Sequence, residues 1–166
     1  MNRKTKILSI LLSACCIVPL AGAVVTQKPV KAVTGTATLK QTEKGVLIHA
    51  MFQNVPPGWH AMHIHEVGKC EPPDFKTAGG HFNPTHKMHG YMNPSGAHAG
   101  DLPNVYADAS GKVDVEVLAP DVSLEPGPNS LLDGDGSALV LHEKADDYST
   151  NPAGNAGKRI GCAVIH

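Results

Sequence analysis

Six of the ten histidines of this chain lie between His63 and Asp101, in the segment HIHEVGKCEPPDFKTAGGHFNPTHKMHGYMNPSGAHAGD. Neutral imidazole is the commonest protein ligand for zinc and copper. A solvated surface does not need so many imidazoles in one segment, and a hydrophobic core can satisfy only a few of them. The concentration of histidines therefore predicts a metal site.

His63 and His65 are the first pair of candidate ligands. They are two residues apart in a segment that alternates like a β-strand, so both side chains leave the same face. Their Cα atoms would lie roughly 6–7 Å apart, which suits two imidazoles that converge on one ion. This pair is weak evidence by itself, because a half-buried strand can carry two histidines without a metal.

The second candidate group lies in the loop that follows and comprises His81, His89, His98 and Asp101. Three imidazoles and one carboxylate make a closed tetrahedral shell, which is what a structural zinc ion requires. A closed shell argues against a zinc hydrolase, which needs an open position. The alternative is a solvated, disordered loop, against which the carboxylate and the flanking turn residues argue.

The elements that must position these residues are strand-like. Runs with β periodicity precede the loop (AVTGTATLK, GVLIHAMFQ, WHAMHIHE) and follow it (KVDVEVL, SALVLHE, RIGCAVI). The first two, joined by QTEK, predict a hairpin, and the stretch from Val67 to about Asp108 predicts a long functional loop. Short strands with 17 glycines and 13 prolines predict an all-β sandwich or barrel.

The segment 1–23, MNRKTKILSILLSACCIVPLAGA, predicts a signal peptide, because basic residues precede an apolar run. A membrane anchor is the alternative, but Pro19 interrupts a run that is barely long enough to span a bilayer. Two processing sites compete. LSAC at Leu12–Cys15 resembles a bacterial lipobox, with Cys15 as the lipidated residue, and PLAGA at Pro19–Ala23 fits ordinary cleavage. Both place the mature protein outside the cytoplasm, and we slightly favour the membrane-anchored lipoprotein over a secreted or periplasmic form.

Net charge bears on the class of partner. Removal of the leader takes away Arg3, Lys4 and Lys6 and leaves 11 basic against 15 acidic residues, a net charge near −4. With no basic stripe to contact phosphates, nucleic acid is not predicted as a partner.

Two cysteines remain after the leader, Cys70 beside the histidine cluster and Cys162 near the C-terminus. In an oxidising compartment such a pair predicts a disulfide, with two free buried thiols as the alternative.

Six motifs occur in order along nearly the whole mature chain, from about Val33 to Ile165: HIHEVG, AGGHFNP, HG, HAGDL, LVLHEKADD and GNAGKRIGC. Together they resemble the copper,zinc superoxide dismutases of the bacterial, exported kind. The resemblance implies a Greek-key β-barrel or sandwich of about eight antiparallel strands over residues 33–166, after a tail at 24–32. It also implies dismutation of superoxide to O₂ and hydrogen peroxide, with one copper and one zinc per subunit.

The resemblance also implies roles for individual residues. The copper ligands would be His63, His65, His81 and His142. The zinc ligands would be His81, His89, His98 and Asp101, with the His81 imidazole bridging the two metals and carrying a proton in the reaction. Asp146 matches a carboxylate that links a copper histidine to a zinc histidine. Arg159 matches the arginine that docks the anionic substrate, and Cys70 and Cys162 match the family disulfide. His60 matches a position that packs structurally.

One departure from the family concerns the loop Asp147–Gly157, which lacks the charged stretch that animal members carry. Arg159 and Lys158 are then the candidates for attracting superoxide. The alternative function is a non-enzymatic surface protein that holds copper and zinc, which would need the ligands but not Arg159. Monomer and homodimer both remain open.

Overall fold

The computed structural model describes residues 32–166, so the signal peptide, its two candidate processing sites and residues 24–31 of the tail lie outside the described part. The described residues form eight strands: β1 Thr34–Thr42, β2 Gly45–Gln53, β3 Gly58–His60, β4 Met62–His65, β5 Val105–Ala107, β6 Val113–Ala119, β7 Ser137–His142 and β8 Arg159–Ile165. One short 3₁₀ turn covers Lys76–Ala78. Within residues 32–166, no helix has the length and apolar character needed to cross a membrane.

The strands form two three-stranded antiparallel sheets, in the orders β1-β2-β6 and β4-β7-β8, and a small β3-β5 pair. Alternate residues of β2, among them Ile48 and Phe52, are buried in one cluster with Ile64 of β4 and Leu139 and Leu141 of β7. The core therefore lies between the two sheets, and the prediction of an all-β sandwich or barrel is confirmed.

Period-two alternation in β4 directs the histidines away from that core. Met62 and Ile64 belong to the main cluster, so His63 and His65 point to the opposite face. All four residues of β4 are buried, which means that a second layer must cover the histidine face. The long loop after β4 supplies that layer.

The sequence predicted one strand over WHAMHIHE, and this prediction is wrong. The structure has two strands there, β3 and β4, which separate at Ala61. β3 pairs with β5, whereas β4 pairs with β7. At the break, the Ala61 N–H donates to the Lys144 carbonyl at 2.8 Å, and the His142 N–H donates to the Ala61 carbonyl at 2.9 Å. His60 therefore does not share a strand with His63, contrary to the sequence prediction.

The predicted loop from Val67 to about Asp108 contains two elements that the sequence analysis missed, β5 and the 3₁₀ turn. β5 has three residues, which are too few to show a period-two alternation in the sequence. Its backbone hydrogen bonds are made with β3. The rest of the loop has no regular strand, as predicted.

A disulfide joins Cys70 in this loop to Cys162 in β8, as predicted. The two residues are 92 positions apart. In the chain-entropy account, closing a loop of that length stabilises the folded state by about 4–5 kcal/mol. The bond therefore holds the start of the long loop against the sheet that carries β4 and β7.

Candidate metal centre

The first group of possible ligands comprises His63, His65, His81 and His142, whose ring nitrogens lie within 4.8 Å of one another. β4 supplies two of them, β7 ends on the third, and the loop residue His81 forms an isolated bridge with His65. All four side chains are buried. Sheet pairing therefore brings His142 to residues that lie about eighty positions before it in the sequence.

Several buried nitrogens of this first group have no hydrogen-bond partner among the described residues. They are Nδ1 of His63, Nε2 of His65, Nε2 of His81 and both ring nitrogens of His142. A buried polar atom without a partner is costly, so native proteins satisfy nearly all of them. Lone pairs that converge from four buried imidazoles fit a metal ion that accepts nitrogen ligands, such as copper.

Two of these imidazoles are oriented through their other nitrogen. His65 Nδ1 lies 3.0 Å from the Gly79 carbonyl oxygen, and His63 Nε2 lies 2.8 Å from Asp146 Oδ2. Each partner is an acceptor, so the nitrogen that faces it carries the proton. The opposite nitrogen is then left with a lone pair directed at the centre of the group, which is how metal-binding histidines are commonly held.

The second group comprises His81, His89, His98 and Asp101, and all four are buried. The distance from Asp101 Oδ1 to Nδ1 is 2.9 Å for His81, 3.0 Å for His89 and 3.3 Å for His98. Ligands placed tetrahedrally about zinc at its usual bond lengths are about 3.3 Å apart. The donor atoms are thus near the spacing of a closed zinc shell.

Asp101 is oriented by the backbone around it. Its Oδ2 accepts the N–H of Gly90 at 2.9 Å and the N–H of His98 at 3.0 Å. Those bonds leave Oδ1 facing the three imidazoles. The loop therefore folds around one carboxylate, which holds the backbone at Gly90 and His98 beside the ligand group.

His81 belongs to both groups. Its Nδ1 faces Asp101 in the second group, whereas its Nε2 has no partner and faces the first. Its ring centroid lies 4.1 Å from that of His63. One imidazole between two converging ligand groups fits a ring that bridges two metal ions.

Asp146 makes a second link between the two groups. Its Oδ2 lies 2.8 Å from His63 Nε2, and its Oδ1 lies 3.0 Å from His89 Nε2. Gly154, at φ +61°, packs against this carboxylate so closely that an added Cβ would overlap it. The position therefore requires glycine both for its backbone conformation and for the space.

Three residues that support this network were missed by the sequence analysis. The side-chain amide of Asn104 pairs with the backbone of Asp146, donating at 2.9 Å and accepting at 2.8 Å. The Tyr148 hydroxyl accepts the N–H of Asn104 at 2.7 Å, and the Tyr91 hydroxyl donates to the Asp101 carbonyl at 2.6 Å. No sequence signal identifies them, because polar residues in loops are common and these contacts span up to 44 positions.

Burial lowers the pKa of three imidazoles that face the first group: to about 2 for His65, about 3 for His142 and about 4 for His81. Neighbouring imidazoles lower the pKa values further, because a second positive charge nearby is unfavourable. These rings are therefore neutral at pH 7, the state in which imidazole binds a metal.

His89 behaves differently. Burial lowers its pKa, but hydrogen bonds to Asp101 and Asp146 outweigh burial and raise the pKa to about 9. Without a metal, a proton on His89 supplies the positive charge that the two carboxylates attract. A cation bound at Asp101 would displace that proton, as expected for ligands that must be deprotonated to bind.

Arg159 begins β8 and is half-buried at the edge of the first group. Its Nη1 donates to the Phe75 carbonyl at 2.7 Å, and its Nη2 donates to the Gly79 carbonyl at 2.6 Å. The Gly79 carbonyl also accepts from His65, so the guanidinium is held next to a member of the first group. A fixed positive charge at this place can bind a small anion.

A surface depression of about 440 Å³ opens in front of Arg159. It is lined by Pro73, Asp74, Lys76, Gly157, Lys158 and Arg159. Lys158, which the sequence could not place, therefore shares the depression with Arg159. Lys76 is a further cation that the sequence analysis missed, and it forms an exposed ion pair with Asp74 at 2.9 Å.

The other described histidines stand apart from both groups. The ring nitrogens of His60 face the carbonyls of His142 at 2.8 Å and Pro56 at 2.7 Å, so neither nitrogen is directed at the metal-ligand groups. His49 is exposed on β2 and pairs with Asp114 at 3.0 Å. His86 and His166 are exposed. The structure thus brings together every predicted site residue that it describes, and only Cys15 lies outside the described part.

Comparison with known proteins gives one consistent answer. The family model for copper/zinc superoxide dismutase (SODC) matches residues 33–165. The chain is 55% identical to superoxide dismutase [Cu-Zn] 1 of Aquifex aeolicus, covering 86% of this chain and 84% of that one. It is 44% identical to superoxide dismutase [Cu-Zn] of Caulobacter vibrioides, covering 79% and 77% of the two chains. Among solved structures, a SOD-like protein from Bacillus subtilis aligns with a TM-score of 0.78 at 49% identity, covering 80% and 89%.

Proposed function

The chain belongs to the copper/zinc superoxide dismutase family, and from that premise we propose which residues hold its two metals. The enzyme converts two superoxide ions and two protons into O₂ and hydrogen peroxide. The proposed copper ligands are His63, His65, His81 and His142. The proposed zinc ligands are His81, His89, His98 and Asp101. One observation carries this assignment: two buried ligand groups share His81, and unpartnered nitrogens converge in the first of them.

Copper held by the first group would supply the reversible one-electron chemistry of the reaction, and zinc held by the second group would supply no redox chemistry. The protein's part begins with His81. Its Nε2 is buried and has no hydrogen-bond partner among residues 32–166, so it can hold one of the protons that the peroxide product needs. Asp146 keeps the His63 ring in the tautomer that leaves Nδ1 as an acceptor.

Arg159 binds the substrate in this proposal. The guanidinium is positively charged at every physiological pH, and two backbone carbonyls hold it in one orientation. The mature domain carries a net charge near −4, so an anionic substrate needs local positive charge at the entrance. Lys158 lines the same depression as Arg159 and supplies that charge, whereas the charge of Lys76 is offset by Asp74 in the same depression.

Replacing Arg159 with alanine is expected to lower kcat/KM for superoxide by about tenfold, because a charge-assisted contact to the substrate is lost. The salt dependence of the rate should also weaken, since less of the attraction remains to be screened. The measurement is the dismutation rate of the copper- and zinc-loaded domain by stopped flow at several ionic strengths.

The matched control is Lys44→Ala, which removes one positive charge from the β1–β2 turn. Arg159→Lys keeps the charge but not the planar contacts, so it should recover part of the loss. If Arg159→Ala matches the wild type in rate and salt dependence, the docking role is wrong.

The alternative is a protein on this scaffold that only holds copper and zinc. Such a protein would need the two ligand groups but would not need a guanidinium fixed beside His65. The dismutation assay distinguishes the enzyme from the metal-holding protein. A domain shown by metal analysis to contain both metals, yet unable to dismute superoxide, would support the metal-holding role.

We also infer that residues 1–23 export the enzyme domain, residues 33–166, from the cytoplasm. The basic and apolar pattern of the leader supports this, as does a disulfide between Cys70 and Cys162, which persists in oxidising compartments. Between the two processing sites, we favour a lipid on Cys15 that anchors the enzyme to the membrane.

Cys15→Ser is expected to move the enzyme from the membrane fraction to the soluble fraction or to leave its leader uncleaved, whereas Cys16→Ser should behave like the wild type. Fractionation of a bacterial host and mass spectrometry of the mature N-terminus make the measurement. A mature chain that begins at residue 24 in all three proteins would overturn the lipid anchor and would support cleavage after Ala23.

A further inference from the structure

Gly79 and Gly80 form a corner on which two parts of the proposed copper site depend. The Gly79 carbonyl accepts both from His65 Nδ1 at 3.0 Å and from Arg159 Nη2 at 2.6 Å. His81 follows directly. Glycine has more backbone freedom than any other residue, and two glycines in succession would leave this carbonyl poorly fixed.

Glu66 restrains that corner from the other side. Its carboxylate Oε1 accepts the Gly80 N–H at 2.8 Å, and its own N–H donates to the Gly80 carbonyl at 3.0 Å. The side chain also packs over Gly79, since a Cβ added there would lie 2.7 Å from both Glu66 Cγ and Oε1. Gly79 adopts φ +73°, which further restricts the position to glycine.

We propose that Glu66 is a positioning residue that fixes the Gly79 carbonyl and so sets the orientation of the His65 imidazole and the Arg159 guanidinium. Glu66 acts through the Gly79–Gly80 corner, since its carboxylate bonds to the Gly80 N–H, whereas His65 and Arg159 bond to the Gly79 carbonyl. The inference rests on the proposed function, because it assigns His65 to the copper and Arg159 to the substrate.

The negative charge of Glu66 does not explain its place here. Glu66 is exposed and does not line the depression in front of Arg159, so its charge is not placed to attract an anion there. The hydrogen bond that Glu66 Oε1 accepts from the Gly80 N–H is the feature that can position the corner. Glu66→Gln retains an oxygen that can accept the Gly80 N–H but removes the charge, whereas Glu66→Ala removes both.

The test compares four copper- and zinc-loaded proteins: wild type, Glu66→Gln, Glu66→Ala and the control Glu116→Ala, which removes an exposed carboxylate from β6. The electron paramagnetic resonance spectrum of Cu²⁺ reports ligand orientation, and an optical titration with azide reports anion binding beside Arg159. Glu66→Ala should give an altered, broadened spectrum and bind azide about fivefold more weakly. The other two variants should retain the wild-type spectrum.

Two results would overturn the proposal: a wild-type spectrum and azide affinity in Glu66→Ala, or equal defects in Glu66→Gln and Glu66→Ala, which would assign the effect to charge. If Glu66→Ala does not fold, Glu66→Asp replaces it, because its carboxylate is one methylene too short to reach Gly80. Amide exchange of Gly80 in the zinc-loaded, copper-free protein should then be about tenfold faster in Glu66→Asp than in the wild type, and equal rates would contradict the proposal.

Failure of the proposed function would appear differently. In that case the wild-type protein, loaded with both metals, would not dismute superoxide. If the wild-type protein is active but Glu66→Ala has the same copper spectrum as the wild type, only the positioning role of Glu66 is wrong.

Discussion

Replacing His142 with alanine is expected to lower the dismutation rate of the metal-loaded enzyme by on the order of 1,000-fold. His142 is the one member of the first ligand group that β7 supplies, and its ring is buried with no hydrogen-bond partner among the described residues. The loss of a group that only supports a ligand already costs 10–100-fold in affinity or activity. Removing a proposed ligand itself should cost more.

The zinc group should survive this change, because His142 does not belong to it. The measurement is therefore the dismutation rate together with the copper and zinc content of the purified protein. Zinc should remain near one per subunit while copper binding weakens. His49→Ala is the matched control, since His49 is an exposed histidine of β2 whose loss should leave the rate unchanged. A His142→Ala enzyme that retained a tenth of the wild-type rate would contradict the assignment.

The second large effect is expected for Asp101→Ala, which should lower zinc affinity at least about 100-fold and destabilise the long loop. Asp101 Oδ1 is the point on which three imidazole nitrogens converge. Its Oδ2 also holds the buried N–H groups of Gly90 and His98. Leaving such groups without a partner costs about 1–3 kcal/mol each, so even the metal-free variant should unfold about 10 °C lower.

Thermal unfolding with zinc present and with a chelator present separates the two contributions. The wild type should lose much of its stability when zinc is removed, whereas Asp101→Ala should respond little to the chelator. Asp133→Ala is the control, because Asp133 is an exposed loop aspartate outside both ligand groups. Zinc binding by Asp101→Ala at the wild-type level would show that the carboxylate is not a ligand.

The two ligand groups are connected, so the loss of zinc in Asp101→Ala should also disturb the first ligand group. His81 belongs to both groups, and Asp146 contacts His63 in the first and His89 in the second. Tyr148 holds this second link in place, because its N–H donates to Asp146 Oδ1 at 2.7 Å. Loss of zinc is therefore expected to loosen His63 and His81, so zinc would help to order two of the proposed copper ligands.

Local patterns in the sequence determined the class of fold and the type of chemistry. Alternation with period two identified most of the strands, whereas the leader, predicted from basic residues before an apolar run, stays a prediction. His63 and His65 could be assigned to one face by their spacing, and three imidazoles with a carboxylate indicated zinc. These predictions could be made from the sequence because each depends on residues that are close in the sequence or on residue type alone.

His142, Asp146 and Arg159 were identified by resemblance to a family, because no local pattern connects them to the histidine cluster. Only the tertiary structure decided the separation of β3 from β4, the place of Lys158, and the contacts of Asn104 and Glu66. The reason is physical. Antiparallel pairing of β4 with β7 and the covalent link from Cys70 to Cys162 bring groups together over separations of up to about ninety residues. A hydrogen bond such as that from Arg159 to Phe75, 84 residues apart, exists only once those strands are in register.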